Sequence, residues 1–236
     1  MVLIERLHTV LNSLPHSCEI IVVDDGSEDS TAHLLSQLSK SLPIRSIRHP
    51  KNLGLGAALR TGLCAAMDLG EGVVIVMDAD DSHDPALIPE MITKIEQGAD
   101  VVVGSRFVPG GRAQGVPFYR RALSRAARMV IGLGVRLNGV TDGTSGYRAY
   151  RASALQTLRL KLGEQFISEN GFASTFELFV KLCSLGVEVV ELPMVLRYDR
   201  KRGQSKMKVL RTIYRYFVVV MNNSSLVSLR SPASFL

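Results

Sequence analysis

Short, nearly all-apolar runs alternate along the chain with segments whose apolar positions recur at helical spacing. Glu19–Val23 (EIIVV), Ile44–Arg48, Val73–Met77 (VVIVM), Asp100–Gly104 (DVVVG) and Val187–Leu196 read as strands. Helical spacing marks Leu3–Leu14, where Leu3, Ile4, Leu7, Val10, Leu11 and Leu14 form one face. It marks Thr31–Ser41, Ala57–Leu69, Pro85–Gln97, Pro117–Leu133 and Val209–Met221 as well. Within Leu158–Lys181, Phe172, Phe176, Phe179 and Val180 share a helical face and Glu177 lies on another. Strands this apolar, alternating with helices, predict an α/β fold with a mostly parallel sheet covered on both faces.

Two strands run directly into carboxylates. The first ends in Asp24-Asp25-Gly26-Ser27, the third in Asp78, Asp80, Asp81 and Asp84. Open α/β sheets bind ligands at the carboxyl ends of their strands. Asp78 and Asp80 are two residues apart and would point to one side of an extended chain. Paired carboxylates repel unless a proton or cation joins them, and one or two carboxylates plus substrate phosphates commonly hold Mg²⁺. Asp84 before Pro85 reads instead as a helix N-cap. Ser27 or Ser30 is the expected cap of the second helix.

Composition narrows the picture. The 236 residues are 46% hydrophobic, enough for one domain with a substantial core. A net charge of +6 points to an anionic partner without choosing among nucleic acid, nucleotide and membrane. Cys18, Cys64 and Cys183 are far apart and read as free thiols in a reducing compartment. No apolar stretch reaches the ~18 residues of a membrane span, and no signal-peptide pattern opens the chain. The expected location is cytoplasmic, soluble or peripheral at the cytoplasmic face of a membrane. Gly54-Leu55-Gly56 imitates a dinucleotide fingerprint, but position 59 is Leu and no ribose-binding acid follows. Those glycines are expected to permit close packing at a helix entrance.

Taken in order, IVVDDGSEDST, KNLGLGAALRTG, VIVMDADDSHDP and VVVGSRFVPGG resemble the nucleotide-sugar domain of family-two glycosyltransferases, the Rossmann-like GT-A type. PFYRRALSR, VTDGTSGYRAY and RKRGQSKMK are similar to its dolichyl-phosphate mannosyltransferase-like branch. The resemblance implies a GT-A domain over residues 1–203 and a basic, amphipathic helix and tail over 204–236 that meets a membrane surface. It implies that Asp25 contacts the nucleotide base with Asp24 beside it, and that Asp78 and Asp80 carry Mg²⁺ or Mn²⁺ with the donor diphosphate. Arg106 and Arg120 would face phosphates. Arg202, Ser205 and Lys206 would close over the donor diphosphate or the acceptor phosphate, and Lys51 would bind the donor. One family feature is missing: Met1-Val2-Leu3 leads straight into a helix, without the usual first strand and Pro-x-Tyr-Asn-Glu turn. The expectation is a start downstream of the natural one, with unpaired backbone at the centre of the sheet and one wall of the base pocket gone.

The second half suggests the acceptor side. Arg121, Arg125 and Arg128 form a basic stripe without acidic partners, readable as a solvated face or as a contact for a phosphate or a lipid headgroup. Asp142 is an isolated carboxylate readable as a turn former, a metal neighbour or a general base. Arg200, Lys201, Arg202, Lys206, Lys208 and Arg211 form the densest basic run and precede an apolar-aromatic helix, a pattern that fits an interfacial anchor or a helix docked on the core or on a partner subunit. No histidine occupies a convincing base position. A phosphate acceptor needs none, since a monoester with a second pKa near ~6 is already an anion.

The implied activity is inverting transfer of a hexose, mannose or glucose, from GDP-mannose or UDP-glucose to a polyprenyl phosphate, with no nucleic acid involved. The alternatives are transfer to a sugar hydroxyl, and a shortened, non-catalytic nucleotide-sugar-binding subunit. A homo-oligomer or a membrane partner subunit is compatible with either.

Overall fold

The computed structural model describes residues 2–117, 139–201 and 209–227. The elements in order are α1 (Val2–Leu11), β1 (Ile20–Asp24), α2 (Thr31–Leu38), β2 (Ile44–Arg48), α3 (Leu55–Met67), β3 (Val73–Val76) and α4 (Ile88–Glu96). There follow β4 (Val101–Ser105), β5 (Arg112–Gln114), β6 (Arg148–Arg151), α5 (Ala152–Leu162), α6 (Ser174–Ser184), β7 (Val189–Pro193), β8 (Val195–Arg197) and α7 (Val209–Val227). The expected strands are present within two or three residues, except that Val187–Leu196 is broken at Met194 into β7 and β8, which lie in different sheets. The expected helix over Pro117–Leu133 lies almost wholly outside the described residues.

The four-stranded sheet has the order β3–β6–β4–β7. β4 and β7 run parallel, whereas β6 is inserted antiparallel to both β3 and β4. Periodicity does not reveal that insertion, because it registers burial and not direction. Both faces of this sheet are covered. Val101, Val103 and Tyr150 face a core built with α3, α5, α6 and α7. Val102, Tyr147 and Ala149 face a second core with α1 and α4. The strict change of side at each residue is the strand period of two acting on an apolar run.

β1 pairs in parallel with β2 alone, and β5 with β8 alone. Among the described residues no ladder joins β1 to β3, so the sheet is divided there. Both strands instead pack on α3. The helix entrance is tight, as the glycines suggested: a methyl group at Gly56 would overlap the Glu169 carbonyl oxygen.

Three local expectations change. Phe172 precedes α6 and is exposed, so it does not share the buried face of Phe176 and Phe179. Glu177 is buried, bonded to Lys181 at 2.7 Å and accepting the Ser168 and Glu169 N–H groups. Neither Ser27 nor Ser30 caps α2: the Asp29 carboxylate accepts from Thr31 N.

Candidate functional site

The acidic turn after β3 does not run on as extended chain. It bends at Asp81, whose φ is +61°, a left-handed conformation that an Asp tolerates better than most residues. The same-side argument for Asp78 and Asp80 therefore does not apply, and other contacts position them. Arg6 of α1 reaches over to Asp81 at 2.5 Å and Asp84 at 2.7 Å. Asp84 accepts from Ala86 N and caps the turn Pro85–Leu87, as expected.

Beneath the turn, buried His83 stacks on Tyr147 with ring centroids 4.9 Å apart. Its Nδ1 accepts the Asp78 N–H, which puts the ring proton on Nε2. Burial lowers the His83 pKa against the opposing pull of Asp78 and Asp80, and the imidazole is neutral. His83 is thus a prop for the loop.

Asp78 is exposed at the mouth of this turn. Asp80 is gripped: Oδ1 accepts from Ser82 N and Oγ, and Oδ2 meets Lys201 Nζ at 2.6 Å. Burial opposes ionisation of Asp80, but the Lys201 and Ser82 contacts outweigh it and lower its pKa. A cationic group already sits on one oxygen of this carboxylate. Among the described residues no third His, Cys, Asp or Glu joins the pair. Two hard oxygen donors fit Mg²⁺ or Mn²⁺ where substrate phosphates and water complete the coordination.

At the tip of β1, Asp24 is buried, with Oδ1 accepting from Ser27 N and Oδ2 3.5 Å from Arg48 Nε. Asp25 accepts from His49 Nδ1 at 2.7 Å and from Leu53 N and Gly54 N at 2.9 Å. Burial raises its pKa, but these donors prevail and the net shift is downward. His49 also contacts Thr61 of α3 at 3.0 Å, so the pair tethers the loop before α3 to β1. Lys51 is exposed, and its backbone packs on Gly26.

The third cluster follows β4. Arg106 donates through Nε (2.7 Å) and Nη2 (2.6 Å) to the two oxygens of Asp142, and its backbone N–H joins them at 3.0 Å. Thr144 Oγ1 lies 2.7 Å from the same Nη2. These contacts leave the Nη1 edge out of the pair. Asp142 is 0% exposed. Burial works to raise its pKa, but the Arg106 charge beside it holds it well below the usual carboxylate range. Tyr216 of α7 is buried edge-on against Phe176 with ring centroids 5.2 Å apart, and burial pushes its hydroxyl up to about 12 against the opposing pull of Arg106 and Arg148.

Arg120, Arg202, Ser205 and Lys206 lie outside the described residues. Sequence reasoning passed over Arg6, Arg148, Glu191 and Thr144, which hold backbone or carboxylates in place. Charged residues within apolar strands, Arg148 and Glu191, were the available signal for two of them.

The glycosyl transferase family 2 model matches residues 2–159. The chain belongs to glycosyl transferase family 2. It is 34% identical over 212 residues to polyprenol monophosphomannose synthase of Mycolicibacterium smegmatis, covering 86% of this chain and 76% of that one. It is 34% identical over 197 residues to undecaprenyl-phosphate mannosyltransferase of Micrococcus luteus, covering 83% and 78%. Dolichol-phosphate mannosyltransferase of Pyrococcus furiosus is 35% identical over 215 residues, covering 91% of this family-two chain but 56% of the relative. Glucosyl-3-phosphoglycerate synthase of Mycobacterium tuberculosis, solved with Mn²⁺, UDP and phosphoglyceric acid, superposes with a TM-score of 0.65. At 18% identity, over 99% of this chain and 75% of that one, it shares the GT-A fold.

Proposed function

We propose that this family-two transferase moves mannose from a nucleoside diphosphate sugar, GDP-mannose, to a polyprenyl phosphate with inversion at the sugar carbon. The observation that carries this is the Arg106–Asp142 pair. The carboxylate paired with Arg106 among the described residues is buried, ionised and consumed by it, so it is not a base for a hydroxyl acceptor. A phosphate monoester arrives as an anion and needs only a cation to seat it. The names of the three relatives support the same acceptor and sugar.

In this reading a phosphate oxygen of the acceptor attacks the anomeric carbon. The bond to the donor diphosphate breaks, and the nucleoside diphosphate leaves. Asp25 and its loop hold the base, with Asp24 bracing the turn. Asp78 and Asp80 would hold Mg²⁺ or Mn²⁺, which supplies Lewis-acid neutralisation of the leaving diphosphate. Arg106 orients the acceptor phosphate. Lys51, Arg120, Arg202, Ser205 and Lys206 share the developing charge. Incubating the chain with labelled GDP-mannose or UDP-glucose, and polyprenyl phosphate or free sugars, tests this. The expected product is a mannosyl lipid phosphate from GDP-mannose alone. Glycosylation only of free sugars would overturn the acceptor assignment.

The divided sheet supports a second reading, binding of the nucleotide sugar without turnover. Calorimetry with GDP and Mn²⁺ separates it: binding without transfer favours the second, transfer the first.

We also place the enzyme at an anionic membrane surface. Leu210, Tyr214 and Phe217 are 76%, 63% and 49% exposed on one face of α7, with exposed Met221 following in the same line. Tyr216, Val219 and Val220 on the opposite face are buried in the core. No helix among the described residues is long and apolar enough to cross a membrane. A basic run leading into an exposed aromatic stripe fits insertion at the headgroup boundary. The double variant Leu210→Glu/Phe217→Glu is expected to lose co-sedimentation with phosphatidylglycerol vesicles and to keep its melting temperature, read by circular dichroism. Unchanged vesicle binding would remove α7 from the interface.

A further inference from the structure

Glu191 stands in the middle of β7, between Val190 and Leu192, and pairs in register with Val103 of β4. A carboxylate in an apolar strand is costly unless its oxygens are satisfied. Here each oxygen is. Oε2 accepts the Thr141 N–H at 2.7 Å and Oε1 the Asp142 N–H at 2.9 Å. The Thr141 hydroxyl adds a donor within 2.9 Å of Oε2 and 3.0 Å of Oε1. No ion pair involving Glu191 occurs among the described residues. Its charge is spent on the backbone of two consecutive residues and one hydroxyl.

Those two residues begin the loop that presents Asp142 to Arg106. The loop has no ladder or helix of its own between Thr141 and Gly146. From the other side, buried Arg148 of β6 donates to the Gly143 carbonyl at 2.7 Å and to the Thr175 carbonyl at the start of α6. An anion thus takes the loop's N–H groups while a cation takes its carbonyl. Thr141 is tied to Ser105 as well, Oγ to Oγ1 at 3.2 Å, next to Arg106 in the chain. What this clamp delivers outward is one carboxylate, Asp142, whose two oxygens fix the plane of one guanidinium.

We infer that Glu191 is a positioning residue for Arg106: it locks the Thr141–Asp142 backbone so that Asp142 holds the guanidinium with its Nη1 edge toward the acceptor phosphate. Glu191 touches no substrate. It acts through three links, carboxylate to amide, carboxylate to guanidinium, guanidinium to phosphate. The inference rests on the phosphate-facing role of Arg106 proposed above, and its first test is independent of that role.

Glu191→Gln keeps the volume but turns an amide NH₂ toward an N–H donor, which breaks one arm of the clamp. The Nε–H resonance of Arg106, assigned by its loss in Arg106→Lys, is read in ¹⁵N-labelled protein. In the wild type it is expected to exchange slowly with solvent; in Glu191→Gln exchange is expected to be about tenfold faster. The second measurement is steady-state transfer to farnesyl phosphate. Acceptor KM is expected to rise about tenfold with donor KM unchanged, the scale of a modest misplacement of an orienting group. In an Arg106→Lys background, Glu191→Gln is expected to change acceptor KM no further.

Unchanged exchange at Arg106 Nε, or effects that multiply independently in the double variant, would overturn the inference. Faster exchange with no wild-type transfer to farnesyl phosphate would keep Glu191 as the positioner and sink the acceptor assignment. Where Glu191→Gln does not fold, Thr141→Val, which deletes one donor to the same carboxylate, is read in its place with the same signs.

Discussion

Arg106→Ala is expected to abolish measurable transfer and to destabilise the fold by about 3 to 5 kcal/mol, the scale for stranding one member of a buried ion pair. For a domain of this size that lowers the melting temperature by about 10 °C, which calorimetry or circular dichroism reads. The cause is Asp142, 0% exposed, whose charge loses the Nε and Nη2 donors together. The double variant Arg106→Ala/Asp142→Ala leaves no stranded charge and is expected to recover part of that stability, but no activity. A double variant as unstable as Arg106→Ala would mean that the pair is not the source.

The pair also has a pH signature. Arg106 depresses the folded-state pKa of Asp142. A depressed carboxylate contributes stability above its unfolded pKa, about 3.9, and loses it as pH falls through the folded value. Wild type is therefore expected to lose stability below about pH 4, and the double variant to lose less there.

Asp80→Asn is expected to lower turnover about a thousandfold while the protein stays folded. A metal acting as a Lewis acid contributes several kcal/mol to the transition state, and each 1.36 kcal/mol is a factor of ten. Asn keeps the size of the side chain and an oxygen for Ser82, but removes the charge that faces Lys201. Mn²⁺ binding, followed by electron paramagnetic resonance with GDP present, is expected to weaken in parallel. Full transfer activity in this variant would refute the metal assignment, whatever the binding data showed. The Lys201 contact also predicts that the divalent ion must compete with, or displace, an ammonium already on Asp80.

Much of this arrangement was legible in the order of residues. Apolar runs ending in carboxylates located β1 and β3, and with them Asp24, Asp25, Asp78 and Asp80, because a strand's two-residue period and burial are local properties. The capping role of Asp84 was legible for the same reason, being set within a few residues, whereas the backbone that packs on Gly56 is that of Glu169, far along the chain. The antiparallel insertion of β6 was not. Strand direction depends on which neighbours a segment meets, and those lie 45 or more residues away in the chain.

The partners of each charge were equally hidden. Asp142 read as a turn former, a metal neighbour or a base, and only the fold places Arg106 against it, 36 residues off. Arg6 reaches Asp81 across 75 residues, Lys201 reaches Asp80 across 121, and Glu191 reaches Thr141 across 50. The sequence by itself determined the elements and the chemical kinds of group at their ends, through local periodicity and composition. Tertiary structure alone decided which charge neutralises which, because an ion pair is set by distance in space and not along the chain.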